Sequence, residues 1–179
     1  METRDFCSLL YGERRDRPTM LIYFMPQSDQ PDTPEFQMAQ ANAGALIKIW
    51  EAASLPFAFI GEAWAWRGAL QRPRPGDLFF AATGPSLLRD RNFRSLDEDL
   101  GVPALLLAGG TFEERIVPTV IDAYLNGRPV SVASDTLFFR SSTRPGQRER
   151  ATLGALLSSY ARVTDAREIV GDFRMRTIR

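Results

Sequence analysis

The sequence predicts a three-layer α/β/α sandwich around a mostly parallel sheet of about six strands, on three observations. Short apolar runs alternate with amphipathic helical stretches along the chain, which is the pattern of successive βα units. Residues 102–135 read as one complete strand–turn–helix–strand unit, and that unit requires a parallel sheet. A length of 179 residues suits one domain with a sizeable core.

Within the unit, the apolar run 103–108 (PALLLA) reads as a strand buried on both faces. Gly109 and Gly110 break it, and Thr111 stands at a helix N-cap position. Glu113 and Glu114 fall in the first turn, where negative charge suits the helix dipole. Ile116, Val117, Val120, Ile121 and Ala123 lay an apolar stripe along a helix that stops at Asn126 and Gly127. Residues 129–133 form the next strand, closed by Ser134 and Asp135. In a parallel sheet, ligands sit at the turn that follows such a first strand.

The remaining elements follow in order. Residues 1–17 read as a polar arm packed on the body, 18–170 as the α/β domain, and 171–179 as a loose or interface-bound tail. The run 18–25 (PTMLIYFM) is the first strand. Thr33 caps a helix with Pro34 at its first position, carrying Ala39, Ala43, Leu46, Ile47 and Trp50 on one face. Residues 57–60 (FAFI) form the second strand and deliver Glu62, Trp64 and Trp66 to the edge where the Gly109 turn lies. The Pro-rich loop 70–76 leads to a third strand at 77–81 (DLFFA). A short helix at 92–100 shows Leu96 and Leu100 on one face. A long helix at 143–160, a strand at Val163 and a short helix at 165–170 complete the domain.

Composition narrows function. The 22 basic and 22 acidic residues balance, so no nucleic-acid or anionic-membrane footprint is expected. One cysteine, Cys7, rules out a disulfide framework or a cysteine metal cage, and its place in the arm marks it as an inert thiol. Histidine is absent, which removes the commonest general base and the usual zinc ligand. No apolar run approaches membrane-spanning length and no signal-peptide pattern opens the chain, so a cytoplasmic protein without a metal or other cofactor is expected.

The stretch 105–135 (LLLAGGTFEERIVPTVIDAYLNGRPVSVASD) resembles the core signature of the isochorismatase-like cysteine hydrolases. That signature is an apolar strand, a Gly turn with a nucleophilic Cys, Val-x-x-Thr-x-x-Asp-Ala, a Gly, and a strand ending in Asp. Gly109, Thr119, Asp122, Ala123, Gly127 and Asp135 match it, and the resemblance runs over residues 18–170. It implies an isochorismatase-like, Rossmann-like sheet and a hydrolase that forms homo-oligomers. It also implies a triad, and here the three places read Phe24 for the Asp, Ala82 for the Lys and Arg115 for the Cys. Met25 and Gln27 survive from the motif around the first position, and Asn42 matches an Asn in the helix after it. The metal-binding branch of the family needs His, so no metal site is implied. The peptide after the Gly of the turn is cis in the family, and Gly110-Thr111 stands there.

Loss of thiol, carboxylate and Lys together implies a catalytically degenerate pseudo-hydrolase. Such a protein acts by binding a small anionic or aromatic ligand or a protein partner, as a homo-oligomer or beside an active relative. The alternative is an active hydrolase or lyase on a small carboxylate-bearing substrate, with Arg115 as anion clamp and Glu62 or Asp135 as acid. The candidate pocket comprises Tyr23, Phe24, Glu62, Trp64, Gly109, Gly110, Thr111, Arg115 and Asp135. Arg115 runs against the helix dipole, so it needs either a bound anion or an internal pair with Glu62, Glu113, Glu114 or Asp135. Capping of the following loop is the simpler role for Asp135. With Arg115 at the nucleophile position, Cys7→Ser is expected to leave ligand binding and any turnover unchanged. Loss of amide or ester hydrolysis in that variant would put the nucleophile at Cys7.

Overall fold

A computed structural model describes residues 19–26, 33–62, 71, 73–81, 84–101, 104–139 and 147–177. Six strands form one parallel sheet: β1 (Met20–Phe24), β2 (Phe57–Gly61), β3 (Leu78–Ala81), β4 (Leu105–Gly109), β5 (Val130–Ala133) and β6 (Arg162–Thr164). Their order across the sheet is β3-β2-β1-β4-β5-β6, and every pairing is parallel. The helices are α1 (Pro34–Ala52), α2 (Arg91–Asp99), α3 (Val117–Leu125), α4 (Gln147–Ser158) and α5 (Ala166–Thr177).

The strands alternate their side chains between two cores. Leu21, Tyr23, Phe59, Leu106 and Ala108 face α1 and α5, where Leu46, Ile47, Trp50 and Ile169 meet them. Met20, Ile22, Phe24, Ile60, Leu105, Leu107 and Val132 face the other layer, against Phe93, Phe112, Ile116, Val120 and Leu157 of α2, the β4–α3 connection, α3 and α4. The central strands are therefore apolar at every position, as a doubly covered parallel sheet demands. Each large side chain so buried contributes on the order of 1.5–3 kcal/mol.

Local signals act as read for α1. The Thr33 hydroxyl accepts from Phe36 N at 3.2 Å with Pro34 in the first turn, and Trp50 Nε1 donates to Thr19 O at 3.1 Å, fixing α1 to the start of β1. For α2 the cap is Asp90, whose Oδ1 accepts from Asn92 N at 2.9 Å and Phe93 N at 3.0 Å. Its buried face carries Phe93 and Asp97; Leu96 packs partly buried against the same core, and Leu100, one turn on at the C-cap, is exposed.

The helix after β4 departs further from the expectation. Residues Phe112–Ile116 form a π turn, and α3 proper begins at Val117. The cause is Pro118, which has no N–H to donate and whose ring would strike the carbonyl four residues earlier inside an α-helix. Placed in the first turn of α3, it meets neither objection. The apolar stripe shifts accordingly: Ile116, Thr119, Val120 and Ala123 are buried, whereas Ile121 is exposed. Thr111 occupies the N-cap position without a side-chain cap bond, because residues 110–112 are held in a strand-like pairing with Phe138. At the far end, α5 continues through Gly171 to Thr177 instead of stopping at Val170.

Arg128, just before β5, sits over the Phe93 ring at 5.9 Å and pairs with Asp97 of α2 through both carboxylate oxygens, Nη1 to Oδ2 at 2.5 Å. Both side chains are nearly enclosed, at 5% and 11% exposure, so this bridge joins α2 to the α3–β5 connection inside the protein. Asp97→Ala is expected to lower unfolding stability by about 3–5 kcal/mol, because it removes the carboxylate from a buried guanidinium. The double change Asp97→Leu with Arg128→Met is expected to recover most of that in urea titrations. Equal loss in single and double variants would show that the pair contributes through packing alone.

Candidate functional site

The strand order reverses direction between β1 and β4, with α1 leaving on one face and the π turn on the other. In an open α/β sheet the crevice beyond the carboxyl ends of such strands is the ligand position. Register decides which residues reach it. Phe24 pairs with Gly109 and Tyr23 with Ala108 across β1 and β4.

Gly109 and Gly110 both lie in the left-handed region, at φ 66° and 78°, where glycine is at ease. Space requires them as well. A Cβ on Gly109 would lie 2.4 Å from Phe24 O, and one on Gly110 would lie 2.6 Å from Phe24 Cβ. The turn is held beneath by Thr136, whose hydroxyl accepts from Gly109 N at 2.9 Å and donates to Ala133 O at 2.7 Å. No cis peptide occurs among the described residues, so Gly110-Thr111 is trans.

Phe24 is 2% exposed and belongs to the core beside the π turn. Tyr23 points the opposite way, fully buried under Gly109 and edge-on to Phe59 at 5.9 Å. It is a core wall and not a pocket lining. Burial pushes its phenol pKa up, and its hydroxyl has no hydrogen-bond partner among the described residues. Thr111 is likewise buried.

Arg115 lies beside Gly110, its Cβ 3.6 Å from where a Gly110 Cβ would stand. Its Nη1 donates to the carbonyl of Gly84, in the segment that follows β3. No ion pair from it to Glu62 or Asp135 is seen among the described residues, and the acceptor its side chain meets is a backbone carbonyl. The end of β3 is thus drawn toward the turn after β4, across the intervening β2 and β1. Ala82, Trp64 and Trp66 lie outside the described residues, as does Cys7.

Two residues of the matched motif complete that attachment. Thr119 Oγ1 accepts from Leu87 N at 3.2 Å, and Asp122 receives both Nε and Nη2 of Arg89 at 2.7 and 2.9 Å. The Arg89 guanidinium holds the Asp122 carboxyl below the usual carboxylate range. Asn42 and Asp135 act on the other face of the sheet. Asn42 Nδ2 donates to the carbonyl and the carboxylate of Asp135, each at 3.1 Å. The same carboxylate accepts from Ala166 N at 2.7 Å and Arg167 N at 3.4 Å. Asp135 therefore caps α5, and burial raises its pKa against the opposing pull of those amides. Glu62 follows directly on β2 and is half-buried. Among the described residues no three carboxylate, cysteine or histidine side chains gather to hold a metal ion, and no helix is long and apolar enough to cross a membrane.

No protein-family model and no curated protein matches the sequence. Solved structures do match. A proposed hydrolase of the isochorismatase family from Chromobacterium violaceum is 23% identical, with a TM-score of 0.70 over 88% of this chain and 94% of its own. An isochorismatase from Pseudomonas putida is 16% identical, with a TM-score of 0.70 over 86% and 94%. N-carbamoylsarcosine amidase from Thermoplasma acidophilum is 15% identical, with a TM-score of 0.63 over 83% and 96%. The chain has the isochorismatase-like fold over nearly the full length of these proteins.

The Asp122 contacts predict a pH dependence. Its folded pKa is depressed, so its contribution to stability is present above the unfolded value of about 3.9 and is lost as pH falls through the lower folded value. Asp122→Asn is expected to be less stable than wild type at neutral pH. The gap in urea midpoints should narrow as pH falls below the unfolded value of about 3.9. A gap that persists unchanged in acid would remove the Arg89 contact as its source.

Proposed function

We propose that this isochorismatase-fold chain binds a small anionic or aromatic ligand at the β1/β4 switch point and does not carry out thiol-based hydrolysis. The observation that carries the reading is Arg115. A guanidinium stands at the nucleophile's place, beside Gly110 and Phe24, with one hydrogen bond to a backbone carbonyl and no pair with Glu62 or Asp135 among the described residues. Arg offers five N–H donors in a planar fork suited to a carboxylate or phosphate, so the bond to Gly84 leaves capacity for an anion. Phe24 supports the same reading from the other side, because a buried ring takes the place where the resembled hydrolases carry their acid.

A charge-assisted hydrogen bond there contributes roughly 1.5–3 kcal/mol, so binding of a lone anion is weak. The test is thermal unfolding with benzoate and with inorganic phosphate, in wild type and Arg115→Ala. At a ligand concentration about five times Kd, wild type is expected to gain about 1 kcal/mol. Arg115→Ala is expected to keep its fold and lose the gain. No shift with either probe, together with a large stability loss in Arg115→Ala, would leave Arg115 as a structural tether for the Gly84 segment. Turnover of an amide or ester that is abolished by Glu62→Gln would instead establish the active-hydrolase alternative. Asp135 is a poor candidate for that role, since its carboxylate is engaged by α5 and Asn42.

A further inference from the structure

Tyr23 carries a polar group into the core between the sheet and the α1/α5 layer. Its side chain is 0% exposed, and its hydroxyl meets no hydrogen-bond partner among the described residues. A phenol buried in this way ordinarily has one. Two neighbours fix its direction. The ring stands edge-on to Phe59 of β2 at 5.9 Å, and Cε2 and Cδ2 lie 2.6 and 2.8 Å from where a Cβ of Gly109 would stand. The phenol therefore leans away from β2 and over β4. The side chains of its cluster on that side are small. They are Ala108, the register partner of Tyr23, Ala133 one strand on, Ala43 of α1 and Ala166 of α5, all at most 1% exposed. Alanines there give the hydroxyl end room that leucines would fill.

Height along the sheet decides which polar groups face that end. Trp50 of α1 is bonded to Thr19 at the foot of β1. From Thr19 to Tyr23 the strand climbs about 13 Å, at roughly 3.3 Å per residue. From Trp50 back to Asn42 the helix climbs about 12 Å, at roughly 1.5 Å per residue. Tyr23 and Asn42 are thus level. Asn42 is turned toward α5, where its Nδ2 donates to the carbonyl and the carboxylate of Asp135, each at 3.1 Å, and Tyr23 leans to the same side. Those bonds use the amide nitrogen, and Oδ1 remains an acceptor. The hydroxyl reaches neither Asn42 nor Asp135 directly, so the separation exceeds one hydrogen bond.

We propose that Tyr23 and Asn42 hold one buried water molecule between them, which accepts from the Tyr23 hydroxyl and donates to Asn42 Oδ1. A buried water needs at least two polar partners and space of its own size; the two side chains supply the first and the alanines the second. The ligand is uncharged, because apolar walls solvate no ion. Burial also pushes the phenol pKa up, which keeps the hydroxyl a donor at every physiological pH. The site lies on the other face of the sheet from Phe24 and the π turn, so it does not depend on anion binding at Arg115. It ties β1, directly beneath Gly109, to the junction where Asp135 holds the start of α5.

The test is urea unfolding of the full chain and its variants, together with magnetic relaxation dispersion of the solvent water, which counts long-lived internal waters. Tyr23→Phe removes the hydroxyl and little else. It is expected to raise the unfolding equilibrium constant about three- to tenfold and to hold one long-lived water fewer than wild type. In an Asn42→Ala background, where the water has lost its second partner, the same change is expected to destabilise nothing further. A Tyr23→Phe variant as stable as wild type, or more stable, would reveal a hydroxyl buried without a partner and overturn the proposal. So would an unchanged count of long-lived waters, or a Tyr23→Phe effect of equal size with and without Asn42. If Asn42→Ala does not fold, the direction of the Tyr23→Phe effect and the water count decide the matter.

Discussion

The register between β1 and β4 is the constraint on which the rest of the molecule depends. It brings Phe24 level with Gly109 at the carboxyl ends of the two central strands, and the Phe24 carbonyl and ring then leave no room for a Cβ at Gly109 or Gly110. A slip of one residue would turn every side chain of β1 to the other face, exchanging Phe24 for Tyr23 at the turn and breaking both cores at once. The two glycines are therefore a packing requirement before they are a feature of any site. From that turn the chain passes into the π turn that carries Arg115 and then into α3, so the position of Arg115 follows from a pairing made by β1.

Several residues that match the hydrolase signature owe their side-chain contacts to architecture. Thr119 and Asp122 hold residues 87 and 89. Asp135 caps α5 and is steadied by Asn42. These roles depend on the topology and are indifferent to which chemistry the crevice performs. A sequence can keep all of them whatever stands at the crevice, and in this chain the fold match runs over most of the length with Phe24 and Arg115 at the turn.

The sequence carried the layers and the strands clearly, because apolar runs bounded by Gly and Pro allow few alternatives in a βα alternation. The site was only partly legible. Arg115 could be placed beside the Gly turn, but its partner is a backbone carbonyl, and every residue type has one, so nothing in the sequence marks Gly84. Thr136 was hidden for a related reason: a hydroxyl that bridges Gly109 N to Ala133 O has no distinctive spacing. Asp97 and Arg128 are 31 residues apart, and only the packing of α2 beside the α3–β5 connection brings them together. Ile121 was assigned to the wrong face despite an available signal. Pro118 fixes where α3 can begin, and counting from Val117 puts Ile121 with Tyr124 and Leu125.

The attachment of residues 84–89 to α3 also bears on how the sheet comes apart. β3 is a four-residue edge strand with part of each face open to solvent, and on its own terms it would be the first strand to fray. Its carboxyl end, however, continues into a segment fastened at three points to the connection and helix that follow β4, the strand three places away in the sheet. The Leu87 amide in particular ends on a fully buried hydroxyl, so its exchange with solvent waits on the opening of α3. Edge and centre are in this way parts of one cooperative unit, and the periphery of the sheet borrows its persistence from the middle.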